Sequence, residues 1–234
     1  MRKKILLSIV ALTFAGASMA QVRVGIKGGW NLANVTKDNN GSVDNKNSLS
    51  SYNIGVIADL PLSEVLSFQP GIFYTGKGSK LESGDKNSTF YSKSTTNPMY
   101  IEIPLNFLGK IPIGNNARLF AGVGPYAAFG VAGKNKYEYI AAGINVNGED
   151  NIKWDDDTPF NDDDPNQGWD KFKRFDYGAN FLAGVEVGDN FLVSAQYGLG
   201  LAKIRSGSDN GSDDKYKNRV FSVSIGYMFG RAPR

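Results

Sequence analysis

The residues most able to do chemistry lie in the stretch "NIKWDDDTPFNDDDPNQGWDKF", Asn151 to Phe172. Two acidic triplets, Asp155, Asp156, Asp157 and Asp162, Asp163, Asp164, stand between Trp154 and Trp169. Carboxylates in such number suit a hard cation such as Ca²⁺, which takes oxygen ligands in flexible geometry. The pattern is nonetheless not that of an EF-hand loop, which alternates its acidic ligands, has a Gly at the sharp turn and ends on a bidentate Glu. Consecutive Asp residues repel one another, so the six would hold Ca²⁺ weakly, with help from Asn161, Asn166 or backbone carbonyls. A well-hydrated loop and a surface-contact loop anchored by Trp154 and Trp169 explain the same residues, since exposed aromatics are common binding anchors.

The chain contains no histidine and no cysteine. Histidine is the usual general base and a member of most nucleophile triads. Histidine-dependent hydrolysis, His-ligated zinc, thiolate metal sites, Cys nucleophiles and disulfides are thereby excluded. Glu102 and Asp176 could be paired on paper as the acid and base of a glycosidase, but nothing in their spacing brings them together across a cleft. "GVGPYAAFG" has closely spaced glycines without the strand–loop–helix context of a phosphate site. The sequence therefore points to no enzyme and no cofactor. A net charge of +3, with no dense basic run after the first residues, argues against a nucleic-acid partner.

The elements that would position these residues are β-strands. The first 20 residues read as a signal peptide: Arg2, Lys3 and Lys4, then the apolar "ILLSIVALTFAGA", then Ser18-Met19-Ala20, with cleavage expected after Ala20. From residue 21 to 234 the chain is read as one domain. Period-2 alternation marks eight segments: 22–32, 52–60, 66–75, 99–107, 118–129, 175–187, 191–202 and 221–229. Most have the length of a tilted strand crossing a bilayer.

One parity of these segments is apolar throughout, as in Met99, Ile101, Ile103, Leu105, Phe107 or Phe221, Val223, Ile225, Tyr227, Phe229. In all eight segments that parity holds no charged residue, amide, Ser or Thr. The other parity is rich in Gly and polar residues. It carries Arg23, Lys27, Asp59, Glu102, Arg118, Asp176 and Glu186, three cations against four carboxylates. An eight-stranded barrel has an interior just wide enough for its side chains, so the bulky apolar set would overfill it and the Gly-rich polar set would fit. The apolar face therefore points outward to lipid, where a Lys or Arg near the midplane costs roughly 2–4 kcal/mol. The seven charged residues are expected to pair inside as a salt-bridged plug, because buried charges are costly unless compensated.

The fold expected is all-β: an eight-stranded antiparallel up-and-down transmembrane β-barrel. The connections agree. They are long at 33–51, 76–98, 130–174 and 203–220, and short at 61–65, 108–117 and 188–190, the asymmetry of outer-membrane barrels with short periplasmic turns and long extracellular loops. Pro70, Pro104 and Pro125 fall mid-strand, and a local bulge is expected at each.

In order along the chain, "VRVGIKGGWNLANV", "LSFQPGIFYTGKGSK", "YIEIPLNFLGKI", "ARLFAGVGPYAAFG", "FDYGANFLAGVEV", "AQYGLGLAKI" and "NRVFSVSIGYMFG" resemble the PorT-like outer-membrane β-barrel family of Bacteroidetes. The resemblance covers nearly all of the chain after the signal peptide. It implies a small barrel in the outer membrane of a Gram-negative bacterium, with lipid and the barrel-assembly machinery as its partners. PorT itself is associated with type IX secretion, and the resemblance supplies no catalytic residues. A structural or surface-interacting monomer is the leading expectation. A secretion-apparatus component, a small pore or transporter, and a soluble barrel for an apolar ligand are the alternatives.

Overall fold

A computed structural model describes residues 22–36, 48–86, 89–155, 171–188, 190–204 and 216–230. The expected signal peptide, its cleavage site, Trp169 and all of the acidic cluster except Asp155 lie outside the described residues. The strands are β1 (Arg23–Val35), β2 (Leu49–Pro61), β3 (Leu66–Gly76), β4 (Ser79–Gly84), β5 (Phe90–Ile113), β6 (Ala117–Ala141), β7 (Ile144–Asn151), β8 (Lys153–Trp154), β9 (Lys171–Phe172), β10 (Phe175–Val187), β11 (Phe191–Gly200) and β12 (Asn218–Phe229).

Eight of them close on themselves. The antiparallel ladder β1–β2–β3–β5–β6–β10–β11–β12 returns to β1, with Val24 opposite Phe229 and Arg23 opposite Asp59 at the seam. Closure leaves no open edge in the ring, which suits an apolar environment that cannot bond to stray backbone groups. All eight segments read from the sequence lie in this ring. Their apolar parity faces outward: Ile26, Ile54, Ile103, Phe107, Val123, Phe181, Val193 and Ile225 are all exposed. The polar parity faces inward and is buried, from Arg23 to Asp176.

The structure corrects three expectations. First, register runs unbroken through Pro70, Pro104 and Pro125, which stay opposite Leu105, Tyr126 and Ala179. A proline removes one donor on one side of its strand, so the ladder loses pairs there without gaining a residue. The shift in the β5–β6 ladder lies instead between Met99 and Tyr100, just after Pro98. Second, the connection at 108–117 is mostly strand: β5 continues to Ile113, and the turn is only residues 114–116.

Third, the regions 76–98 and 130–174 are not plain loops. β5 and β6 have 24 and 25 residues, about twice the length of their neighbours, and run on past the ring. There β4 pairs with β5 and β7 with β6, giving a projecting antiparallel sheet ordered β4–β5–β6–β7. Its composition explains the misreading. Ser92, Ser94, Thr95, Thr96, Lys134 and Lys136 look like solvated loop in a window tuned to apolar alternation, yet Thr and Tyr are good strand formers.

Candidate functional site

The inward side chains form layers along the barrel axis. At the turn end sits a charge cluster. Arg23 bridges two carboxylates, with Nη2 donating to Asp59 at 2.8 Å and Nη1 to Glu186 at 2.5 Å. Lys110 donates to Asp59 at 2.6 Å and Arg118 to Glu186 at 2.9 Å. Neighbouring strands deliver these residues in register: Arg23 stands opposite Asp59, and Glu186 opposite Arg118. Outside the cluster is an open vestibule of about 640 Å³.

Two residues further into the barrel along their strands, Asp59, Lys110 and Arg118 give way to Ile57, Leu108 and Phe120. These pack with Leu182, Leu192 and Met228, and with Phe73, as a closed apolar layer. Above it lies an amide-and-hydroxyl layer. Asn31 donates to Thr75 Oγ1 and to the Gly76 carbonyl at 3.0 Å each, and its own Oδ1 accepts from Asn53 at 2.6 Å and Ser222 at 2.8 Å. A cavity of about 30 Å³ remains in this region, enough for one water. Lys27 lines it, and among the described residues no carboxylate comes within 4.0 Å of its Nζ.

The loop-end cluster is built on Lys77. Its Nζ lies 2.7 Å from Glu102 and 2.9 Å from Asp176, and 4.0 Å from the centre of the Tyr126 ring. The Tyr126 hydroxyl and Asn218 Nδ2 donate to the same Asp176 oxygen at 3.2 and 3.0 Å, and Asn180 donates to Glu102 at 3.2 Å. Glu102 and Asp176 do come together, but on a shared ammonium group, so neither carboxylate faces an open cleft in which a substrate could sit.

Over this cluster the mouth is capped. Val35, Ile152, Phe172 and Ile204, reinforced by Trp154 and Tyr216, converge from separate connections into one apolar patch. Trp154 also turns down onto the barrel, its ring edge-on to Tyr100 at 5.7 Å between centres. Gly130 leaves room for that indole, since a Cβ there would lie 2.2 Å from it. Backbone bonds fix the cap: Ile152 N to Gly133 O at 3.0 Å, Gly130 N to Arg174 O at 2.7 Å and Lys173 N to Ile204 O at 2.9 Å. Asp155 pairs with Lys171 at 3.2 Å.

Six of the seven charged residues read from the sequence thus fall into two clusters, and the seventh, Lys27, lies between them and outside both sets of ion pairs. Lys77 and Lys110 complete the clusters and were missed. Both continue the inward parity of their strands, Lys77 after Thr75 and Lys110 after Leu108, so extending each segment by one or two alternations would have found them. The inward apolar layer was also missed, because Leu108 and Met228 lie beside outward residues of the same kind.

A closed ring of eight antiparallel strands, apolar outside and charged within, is the architecture of a small outer-membrane β-barrel protein in a lipid environment. The sequence matches the model of the outer membrane protein beta-barrel domain over residues 14–206, and the chain belongs to that family. Solved structures with a similar fold include Neisserial surface protein A, at 11% identity, covering 88% of this chain and 95% of that one, TM-score 0.42. Ail, the attachment invasion locus protein of Yersinia pestis, matches in complex with sucrose octasulfate at 13% identity, covering 89% of this chain and 99% of that one, TM-score 0.39. The outer membrane protein OprG from Pseudomonas aeruginosa matches at 12% identity, covering 90% and 97%, TM-score 0.34. No curated protein sequence matches.

Proposed function

We propose that the protein is a non-conducting, non-enzymatic barrel that serves the cell surface through the sheet and cap at its loop end. The observation that carries this reading is the filling of the lumen. An ion entering from the turn end meets a salt-bridged cluster, then a closed apolar layer, a one-water cavity, the Lys77 cluster and the apolar cap. Those layers argue against a pore or transporter. The charged interior argues equally against a soluble barrel holding an apolar ligand.

In this reading the leader ends at Ala20, both ends of the barrel domain face the periplasm, and the projecting sheet faces outward from the cell as part of a monomer. The carboxylates of the 151–172 stretch serve as solvating groups or as weak Ca²⁺ ligands. Purified protein reconstituted in planar bilayers should give no stable single-channel steps; large, stable steps would overturn the proposal. A second reading, a component of a type IX secretion apparatus, rests on the ordered set of segments that resemble the PorT-like family. Loss of secreted cargo on deletion, with other outer-membrane proteins unchanged, would favour it.

A further inference from the structure

The projecting sheet ends in an open edge. The two residues between β6 and β7, Ala142 and Gly143, have φ of 49° and 83°, the signs of a type I′ two-residue hairpin. In such a hairpin the flanking pair, Ala141 and Ile144, exchanges both backbone bonds, and bonded pairs then recur at every second position. Val146, Gly148 and Asp150 therefore bond to β6. Asn145, Asn147 and Glu149 turn their N–H and C=O groups away from it. Ile152 N bonding to Gly133 O confirms the phase. Among the described residues no backbone group meets those outward-turned groups.

The side chains of β7 are sorted as well. The sheet face toward the barrel axis is identified by Leu81, Ser94, Thr96 and Asn135, which border a 130 Å³ cavity with residues of the cap. Register places Ile144 and Val146 on that same face, with exposures of 68% and 53%. Asp150 follows at its lower end. Glu149 faces the other way and is occupied by Lys134 and Lys136.

We infer that β7 is a docking edge for an extended peptide segment of another protein, which adds antiparallel to it. The peptide would place apolar side chains beside Ile144 and Val146 and a basic one beside Asp150. Backbone spacing selects a strand as occupant, since a free edge presents donors and acceptors at strand repeat. Symmetry disfavours a second copy. Two barrels inserted the same way in one membrane are related by an axis along the membrane normal. That axis leaves two β7 strands parallel, with their apolar faces on opposite sides. A free peptide has no such constraint. The inference rests on the surface-interaction reading above and names its partner class.

The test uses the full chain folded in lipid nanodiscs and a capped peptide of about eight residues, the length of β7, opening with lysine, which antiparallel addition sets beside Asp150, and continuing as alternating threonine and valine. Heat-modifiable migration of the same preparation first establishes the folded barrel, so that failure of the membrane reading is seen separately. Amide exchange at Asn145, Asn147 and Glu149 should slow by at least about tenfold with saturating peptide, while the already bonded Val146 and Gly148 change little. Asn147→Pro removes an outward N–H without touching the β6 ladder, and edge strands tolerate proline; it should abolish binding, whereas Asn147→Thr should retain it. Unchanged exchange at millimolar peptide, or full binding by Asn147→Pro, would overturn the inference. So would protection of these amides before any peptide is added, which would mean that the chain covers its own edge. Protection that grows with protein concentration would instead assign the edge to a second copy. Should Asn147→Pro fail to fold, the exchange measurement on the unsubstituted chain decides.

Discussion

β5 and β6 pass through two surroundings, and their faces exchange roles between them. Within the ring, Ile101, Ile103 and Phe129 point outward while Glu102 and Tyr126 point in. Beyond the Met99/Tyr100 register shift the outward face carries Lys93, Thr95, Lys134 and Lys136, and the face toward the axis carries Phe90, Tyr139, Ile144 and Val146. The backbone ladder is the same in both halves, so the solvent decides the polarity. Lipid demands an apolar exterior and forces charge into a small paired interior; above the bilayer the charges return to water.

The sharpest way to break this comparison is to remove one carboxylate from each half. Glu186→Ala deprives buried Arg23 and half-buried Arg118 of their shared acceptor, and should cost about 3–5 kcal/mol of barrel stability. Glu138, paired with exposed Lys86 at 3.2 Å, should cost at most about 1 kcal/mol when changed to Ala. Urea unfolding in lipid vesicles reads both. Equal losses would mean that the lumen is wetter than its packing indicates.

A smaller difference follows from adding charge to the outward face. Val123→Lys places an ammonium in the outward apolar belt and should cost about 2–4 kcal/mol. Thr95→Lys, on the same side of the wall but in the projecting sheet, should change stability by no more than about 0.5 kcal/mol. Assembly into vesicles, followed by unfolding, would show the contrast.

The smallest effect is set by pH. Hydrogen bonds from Lys134 and Lys136 hold the Glu149 carboxyl at about 2, below the ordinary value of ~4.3. A depressed carboxyl contributes fully above its unfolded value, and the contribution is lost as pH falls through the folded one. Protection of the β7 amides, as the ratio of intrinsic to observed exchange rate at each pH, should therefore be unaffected from neutral pH to about pH 5, then fall as the pH falls toward 2. Glu149→Gln should lower that protection at neutral pH to the level the unsubstituted chain reaches near pH 2, and remove the pH dependence. Because the pair is exposed, salt should blunt the effect.

The ring was legible in the sequence because lipid leaves a signal on every second residue: a single Lys at 103 or 123 would have broken the pattern. The inward charges were legible for the complementary reason. The projecting sheet was not. Its apolar residues are few and widely spaced, and its β7 edge, "INVNGEDN", reads as turn chemistry in Asn, Gly and Asp. The cap was partly legible. Trp154 stood out as a contact residue, but its descent onto Gly130 depends on distant strands, which no local pattern encodes. Proline misled because its effect on a closed ladder is a missing bond and not an extra residue.

The chain has no native cysteine, so single cysteines along the outward side of β5 can each carry one spin label in lipid bilayers. Labels at 101, 103 and 105 should collide with dissolved oxygen and not with a water-soluble nickel complex, and labels at 93, 95 and 97 should do the reverse. Nickel access at 101–105, or oxygen-dominated access at 93–97, would contradict the exchange of faces on which this account of the molecule depends.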